Sequence, residues 1–319
     1  MPQRVPQIMK QGRSAPWFYL APAILLMSFF IVYPMINTFA ISLQNKNGTA
    51  SAATTCRAGE SCWGIFENYH YALTDELDTT SFKTTWDSFW SSSYGNNIKW
   101  VIVMVTGTVV FGMLMAVLAD RLKYQSIAKA VIFMPMAISF VGAGVIWKFV
   151  YNFGTSQVQI GLLNAIITKL GGQPVAWLQT EPINTFALIV VGIWIWTGFS
   201  MTILAAALRN VPDELLEAAR IDGASEWRVF RQITIPLIMP TIIVVVTTMV
   251  INVLKLFDLV YVMTGGNYGT DVIANRMYTE MYKNFNQGRG TAVAVVLIVL
   301  IIPFIYMNIK RFLEQEALR

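Results

Sequence analysis

Few side chains in this sequence are placed to do covalent or metal-assisted chemistry. The single histidine, His70, has no group of cysteines, histidines or carboxylates at metal-ligand spacing around it, so it reads as an ordinary surface residue. No G-x-S-x-G nucleophile elbow occurs, and no G-x-x-x-x-G-K-S/T loop to cradle phosphates. Whatever energy the protein uses must come from elsewhere. What the chain does have is a knot of charge. "LLEAARIDGASEWRVF", Leu215 to Phe230, carries Glu217, Arg220, Asp222, Glu226 and Arg228 between two long apolar runs.

The elements around that knot read as membrane spans. Hydrophobic residues make up 55 % of the chain and charged ones 13 %, about half the charged share of an ordinary globular protein. Six runs are long enough to cross a hydrocarbon core of about 30 Å at about 1.5 Å per residue: 17–43, 98–119, 127–151, 183–208, 233–257 and 291–309. The expected fold class is an all-α integral membrane protein with six transmembrane helices. The first run is too long for a cleaved signal peptide, and no small-x-small site follows it. Its Pro22 and Pro34 are tolerable where neighbouring helices take up the freed carbonyls.

The net charge of +5 does not point to nucleic acid, because the basic residues are scattered along the chain. They set topology instead. Arg4, Lys10 and Arg13, then Arg121, Lys123 and Lys129, then Arg209, Arg220, Arg228 and Arg231, and finally Lys310, Arg311 and Arg319 all fall on one face. The positive-inside rule makes that face the cytoplasm, with both termini (1–16 and 310–319) on it. The long loop 44–97 then lies outside, as a small lobe packed on the helix ends. It holds Cys56 and Cys62, for which a disulfide in an oxidising compartment and two free thiols both fit. A second outer segment, about 152–182, is expected to hold an interfacial helix anchored by Trp177, and a third, after the fifth span, a short amphipathic helix.

The charged knot reads as two short helices with a hinge. Pro212 suits a first helical turn, and Asp213 with Glu214 complements the positive end of the helix. Leu215, Ala218, Ala219 and Asp222 recur at helical spacing as a narrow face of small residues with one apolar knob. Gly223 falls where a helix ends in a left-handed residue, and Ser225 is placed to cap the next helix. A helix this short is marginal alone in water. Small side chains ringed by charge suit insertion into a groove on another protein, while a loop that merely stays solvated is the plain alternative.

"EAARIDGASEWRVFRQITIPLIMP" resembles the EAA loop of permease subunits of binding-protein-dependent ABC importers, in the form typical of carbohydrate importers. Glu217, Ala218, Ala219, Asp222, Gly223, Ala224, Phe230, Ile233 and Pro236 carry the match. "LKLFDLVYVMTGG", Leu254 to Gly266, is similar to the end of the fifth core span in the maltose-type F subunit, although Asn267 stands where the family often has proline. The resemblance implies a type I permease fold with a core over 98–311 and a cytoplasmic loop over 209–232. In that family the loop is the helix that seats in an ATPase subunit. It implies polar contacts from Glu217, close approach at Ala218 and Ala219, and a bend at Gly223. The implied partners are a homologous G-type permease, two ATP-binding subunits that carry ATP and magnesium, an extracytoplasmic sugar-binding protein and membrane lipid. The chain itself would bind no cofactor and catalyse nothing.

Polar groups within spans usually face a bundle interior or cavity. Asn252, Lys255 and Asp258 fall at i, i+3 and i+6 at the outer end of the fifth span, with Thr247 and Thr248 deeper. The fourth span offers Trp196, Gly198, Phe199 and Ser200. A sugar presents apolar C–H faces and a rim of hydroxyls, which aromatic platforms and amides suit. Trp196, Gly198, Phe199, Asn252 and Lys255 are therefore the candidate pathway residues. Snorkelling of Lys255, tryptophans as interface anchors and threonines bonded within their own helix are the plain alternatives. Gly112, Gly142 and Gly144 read as points of close helix contact. The reading is an F-type permease of an oligosaccharide importer, for an α-glucoside, maltose or trehalose-like sugar. Alternatives are a permease for another solute such as glycerol phosphate, a secondary transporter, or a membrane enzyme acting on lipid-linked substrates. A secondary transporter should show inverted repeats or buried ion-coupling carboxylates, and neither is evident.

Overall fold

The computed structural model describes residues 15–48, 65–77, 80–120, 122–154 and 161–317. Cys56 and Cys62 lie outside the described residues. In chain order the helices are α1 (Ala15–Met27), α2 (Tyr33–Ser42), α3 (Ile65–Thr74), α4 (Phe82–Ser91), α5 (Ser93–Lys99), α6 (Val105–Asp120), α7 (Gln125–Phe133) and α8 (Phe140–Val150). They continue with α9 (Leu162–Lys169), α10 (Ile183–Arg209), α11 (Asp213–Ile221), α12 (Glu226–Val229), α13 (Ile235–Leu254), α14 (Asp258–Met263), α15 (Ile273–Tyr278) and α16 (Gln287–Ala317). No strand occurs among the described residues.

Five of these helical stretches are long and apolar enough to cross a membrane unbroken: Trp17–Ser42, Ser93–Asp120, Ile183–Arg209, Glu226–Leu254 and Gln287–Lys310. The sixth expected span is not a straight helix. Gln125–Ala137 and Phe140–Val150 meet at 96°. Pro135 lacks the N–H that would continue the ladder, so the chain tightens into a 3₁₀ turn over Met134–Ala137 and turns extended at Ile138. Ser139 then restarts a helix, its Oγ accepting from the Gly142 N–H at 3.0 Å. Gly142 thus serves a cap rather than a helix contact, a correction to the sequence reading.

Two proline sites are absorbed differently. A proline ring crowds the carbonyl four residues back, and a wider π turn relieves that crowding without ending the helix. Such turns occupy Ser28–Val32 before Pro34 and Phe230–Thr234 before Pro236. The first and fifth spans therefore continue through their prolines.

The core lies between the second and fourth spans. Trp100, Met104, Leu188, Ile195, Met201 and Leu204 are fully buried there. Their backbones approach because Gly112 has no side chain: a Cβ at that position would lie 2.4 Å from Ser200 Oγ. Gly144 similarly lets α8 meet α14, where its Cβ would be 3.1 Å from Val262 Cγ1. In lipid the hydrophobic effect does not drive helices together, so this close fit and interhelical hydrogen bonds must do so. One such bond runs from Asn308 Nδ2 to Thr247 Oγ1 at 3.2 Å, joining the last span to the fifth.

At one end of the bundle a lobe of α3 and α4 is fastened to the segment between α14 and α16. The second span begins five residues earlier than its hydropathy suggests, because Ser92 caps Gly95 and "SYGNN" is helical. Its two asparagines are buried and hold backbone. Asn96 Nδ2 donates to Gly269 O at 2.7 Å and Asp271 O at 2.9 Å, and Asn97 Oδ1 accepts from the Ile273 N–H at 2.9 Å. Asn184 Nδ2 reaches Tyr268 O at 2.5 Å. Arg276 donates to Ala72 O and Tyr71 O, both at 3.0 Å, and Tyr71 Oη donates to Glu280 at 3.0 Å. Burial, reinforced by Glu280, pushes the Tyr71 hydroxyl up to about 12. The helix expected near Trp177 is present as α9. Trp177, however, turns inward, its Nε1 donating to Asn164 Oδ1 at 3.1 Å and its ring 6.0 Å from that of Tyr151.

Candidate functional site

The charged knot folds as the two helices its sequence suggests. Pro212 sits at the N-cap of α11 rather than in its first turn, and Asp213 and Glu214 occupy that turn. The C-terminus is a Schellman motif. Gly223, at φ +79°, donates its N–H to Arg220 O, and Ala224 donates to Ala219 O, both at 3.0 Å. Ser225 holds the N-cap position of α12, but its side chain makes no capping bond. The hinge is instead bridged by Arg220, whose Nε and Nη2 donate to the Glu226 carboxylate at 2.8 and 3.3 Å. That hydrogen bond pushes the guanidinium's pKa further up. Both groups are exposed, so the pair adds little stability.

No residue of α11 is buried. Glu217, Ala218, Asp222 and Gly223 are exposed, Ala219 and Ala224 half-buried, and Ile221 is 86 % exposed. Beside this helix runs an apolar groove of about 690 Å³ between α6 and the loop, with Val110 and Leu114 on one wall and Leu216, Trp227 and Phe230 on the other.

Three of the five candidate pathway residues meet. Trp196, Asn252 and Lys255 line one cavity with Met104, Phe140, Phe257 and Asp258. The convergence does not come from one helical face, as the spacing implies. The fifth span stops at Leu254, Lys255 caps it, and Asp258 opens a separate helix after a break at Phe257. The break folds the three groups around the same space. No ion pair joins Lys255 to Asp258. Asn252 Nδ2 donates to Thr248 O in its own helix at 2.9 Å.

Phe199 stands behind this wall, packing edge-on to Trp196 with ring centroids 5.4 Å apart. Gly198 does something else. A Cβ there would lie 2.7 Å from Ile132 O and Phe133 Cα, so it admits the backbone of α7 against α10. The cavity measures about 120 Å³, below the roughly 300–1,000 Å³ of typical small-molecule sites.

Residues 80–319 match the family described as binding-protein-dependent transport system inner membrane component. The chain belongs to that family. It is 45 % identical over 302 residues to the osmoprotective compounds uptake permease protein GgtC of Synechocystis sp., covering 94 % of this chain and all of that one. It is 43 % identical over 304 residues to the alpha-glucoside transport system permease protein AglF of Rhizobium meliloti, covering 95 % and 83 %. A solved bacterial ABC transporter involved in the import of alginate shares the fold, with a TM-score of 0.66 at 20 % identity over 92 % of this chain and 95 % of that one. The chain is thus a multi-pass ABC importer permease and, as such, a non-catalytic subunit.

Sequence reasoning missed part of this permease's cavity wall. Phe140 reaches it only because the third span breaks, and the signal was present in Pro135 followed by Ser139. It also missed a cluster at the far end of the second span. There Asp120 Oδ1 accepts from Lys129 Nζ and from Arg209 Nη2, the latter at 2.9 Å, while Arg209 Nη2 also donates to Gln125 Oε1 at 2.6 Å. His70 is exposed and bonds Thr74, and no metal-binding cluster occurs among the described residues.

Proposed function

We infer that this permease is one of two membrane subunits of an importer for small glycosides of the α-glucoside, maltose or trehalose kind, and that α11 is its handle for an ATPase. The observation that carries the substrate reading is the cavity in which aromatic rings of Trp196, Phe140 and Phe257 meet Asn252, Lys255 and Asp258. Rings offer faces to sugar C–H groups, and the polar groups offer partners for hydroxyls. Its small volume fits half of a pathway completed by a homologous permease, with α3 and residues 264–286 facing a binding protein outside. The named activity of AglF supports the same class.

The handle reading rests on α11 having no buried residue while its end is closed by the Gly223 turn. Two ATP-binding subunits, carrying ATP and magnesium, would grip this loop and its counterpart. Closure of that pair would rock the spans between inward- and outward-facing states. Under this reading Glu217, Ala218, Ala219, Asp222, Gly223 and Ala224 form the contact, the charged-loop end is cytoplasmic, and the lobe end is outside.

A second reading has its own support: the relative GgtC takes up osmoprotective compounds. One experiment separates the two. The complete complex, reconstituted in proteoliposomes with its binding protein and internal ATP, is offered labelled maltose, glycerol phosphate and a non-sugar osmoprotectant such as a betaine. ATP-dependent uptake of maltose supports the first reading. Uptake of the osmoprotectant alone supports the second, and ATP-independent uptake by this chain alone removes both.

A further inference from the structure

We propose that Asp120 is a positioning residue that ties the root of α11 to the second and third spans, so that the loop moves with α10 as one body. The inference rests on the handle reading above. Asp120 is the last residue of α6, at the negative end of a helix, where a carboxylate is locally unfavourable. Two cations from two other helices offset it there. Lys129 comes from α7, and Arg209 is the last residue of α10. Gln125, at the start of α7, takes a second bond from Arg209. One carboxylate oxygen thus joins the ends of α6 and α10 to the middle of α7.

The place of this junction gives it a role. Arg209 stands four positions before Asp213, where α11 begins, and the intervening Val211 is buried. Toward the other end of α10 the same helix carries Trp196, about 20 Å away at about 1.5 Å per residue. Between them α10 is locked to α6 at Gly112 and Ser200, and to α7 at Gly198. A push on α11 therefore meets a braced helix only if its root is held. Without Asp120, Arg209 keeps Gln125 and Lys129 loses its carboxylate, among the described residues. The root can then swing while α10 stays still.

The test uses the whole reconstituted complex and reads glycoside taken up per ATP hydrolysed. Asp120→Asn keeps the shape and removes the charge. The expected result is normal assembly and thermal midpoint, continued ATP hydrolysis, and a ratio lowered about fivefold, the lower end of typical coupling energies. Asp120→Glu should restore most of the ratio. Should the Asn variant fail to assemble, Arg209→Gln cuts the same tie while leaving Asp120 and Lys129 paired, and the same fall is expected. A wild-type ratio in an assembled variant, or uptake and hydrolysis falling in step, overturns the proposal. A wild-type complex that binds ATPase subunits elsewhere than on α11 counts against the handle reading instead, so the two failures are separable.

Discussion

The two ends of this bundle are built on opposite rules. At the lobe end, buried side chains hold backbone: Asn96, Asn97, Asn184 and Arg276 each bond main-chain groups far away in sequence. At the charged-loop end, α11 has no buried residue and an open apolar groove runs beside it. A buried polar group must find its partners inside the chain, whereas an exposed helix leaves its partners to be supplied. The lobe end is finished by its own sequence. The loop end is finished by another protein, if the handle reading holds.

The sharpest contrast comes from charge. Arg276 is 5 % exposed and lies 3.4 Å from Glu76 and 3.7 Å from Asp75, with two carbonyls closer. Burial pulls its pKa down, but Glu76, Tyr71 and Tyr94 together outweigh that and push it up. Arg276→Ala leaves both carbonyls without their donor and Glu76 with Ser93 but no cation, and should destabilise the folded chain by about 3 kcal/mol, read as a lowered unfolding midpoint in detergent. Glu217→Lys should do the reverse. Its side chain is exposed, so stability should move by no more than about 0.5 kcal/mol. ATP-dependent uptake should fall by about two orders of magnitude, the upper end of typical coupling energies. A variant at position 217 that unfolds, or one at 276 that keeps its midpoint, would erase the distinction between the ends.

The same contrast governs what the sequence could disclose. The loop end was legible because its chemistry is local: Gly223, Pro212 and the Glu-Ala-Ala run specify a short helix and a left-handed stop within a dozen residues, and the fold follows them. Ser225 was overread, since an Arg220–Glu226 pair bridges the hinge in place of its cap. The lobe end was largely illegible. "SYGNN" has a loop's composition, and Asn96 becomes helical and buried only because Gly269 and Asp271, over 170 residues away, need a donor. The cavity falls between these cases. Residue type singled out Trp196, Asn252 and Lys255, but one helical face was the wrong reason for Asn252, Lys255 and Asp258 to meet, and Gly198 proved to be a packing site. Hydropathy alone counted the third span without seeing that Pro135 bends it.

Acidity probes the lobe end a second way. Burial raises the Asp271 carboxyl from 3.8 to about 6, against hydrogen bonds from Asn275 and the Val272 N–H that pull it down. Glu76 adds to the rise and Arg276 opposes it. Between those two values the folded chain binds more protons than the unfolded one, so stability falls as pH rises through about 4 to 6 and is level above. At about 1.4 kcal/mol per unit, and allowing for partial solvent access, the fall should be about 2 kcal/mol. Asp271→Asn keeps the acceptor and should flatten that part of the midpoint-against-pH curve. An unchanged slope in the variant would assign the titration to another group.

The smallest expected effect compares two glycines that share a backbone conformation and differ in surroundings. Gly223 and Gly266 have φ of +79° and +84°. A Cβ on Gly223 would meet nothing within 4 Å, whereas one on Gly266 would lie 2.4 Å from Asn275 Nδ2 and 2.7 Å from Asp271 Oδ1. Alanine at 223 should therefore show only the left-handed penalty, about 1 kcal/mol, and that confined to α11. Alanine at 266 adds displacement of the Asn275–Asp271 bond, now 2.6 Å, and should be worse by about 1–2 kcal/mol. Amide hydrogen exchange reads the two separately: faster exchange limited to Ala219–Ala224 in the first variant, and spread across 264–278 in the second. Equal, local effects at both sites would mean that the lobe end is no more tightly packed than the loop, and the division between a self-completed end and a partner-completed one would fail on its own terms.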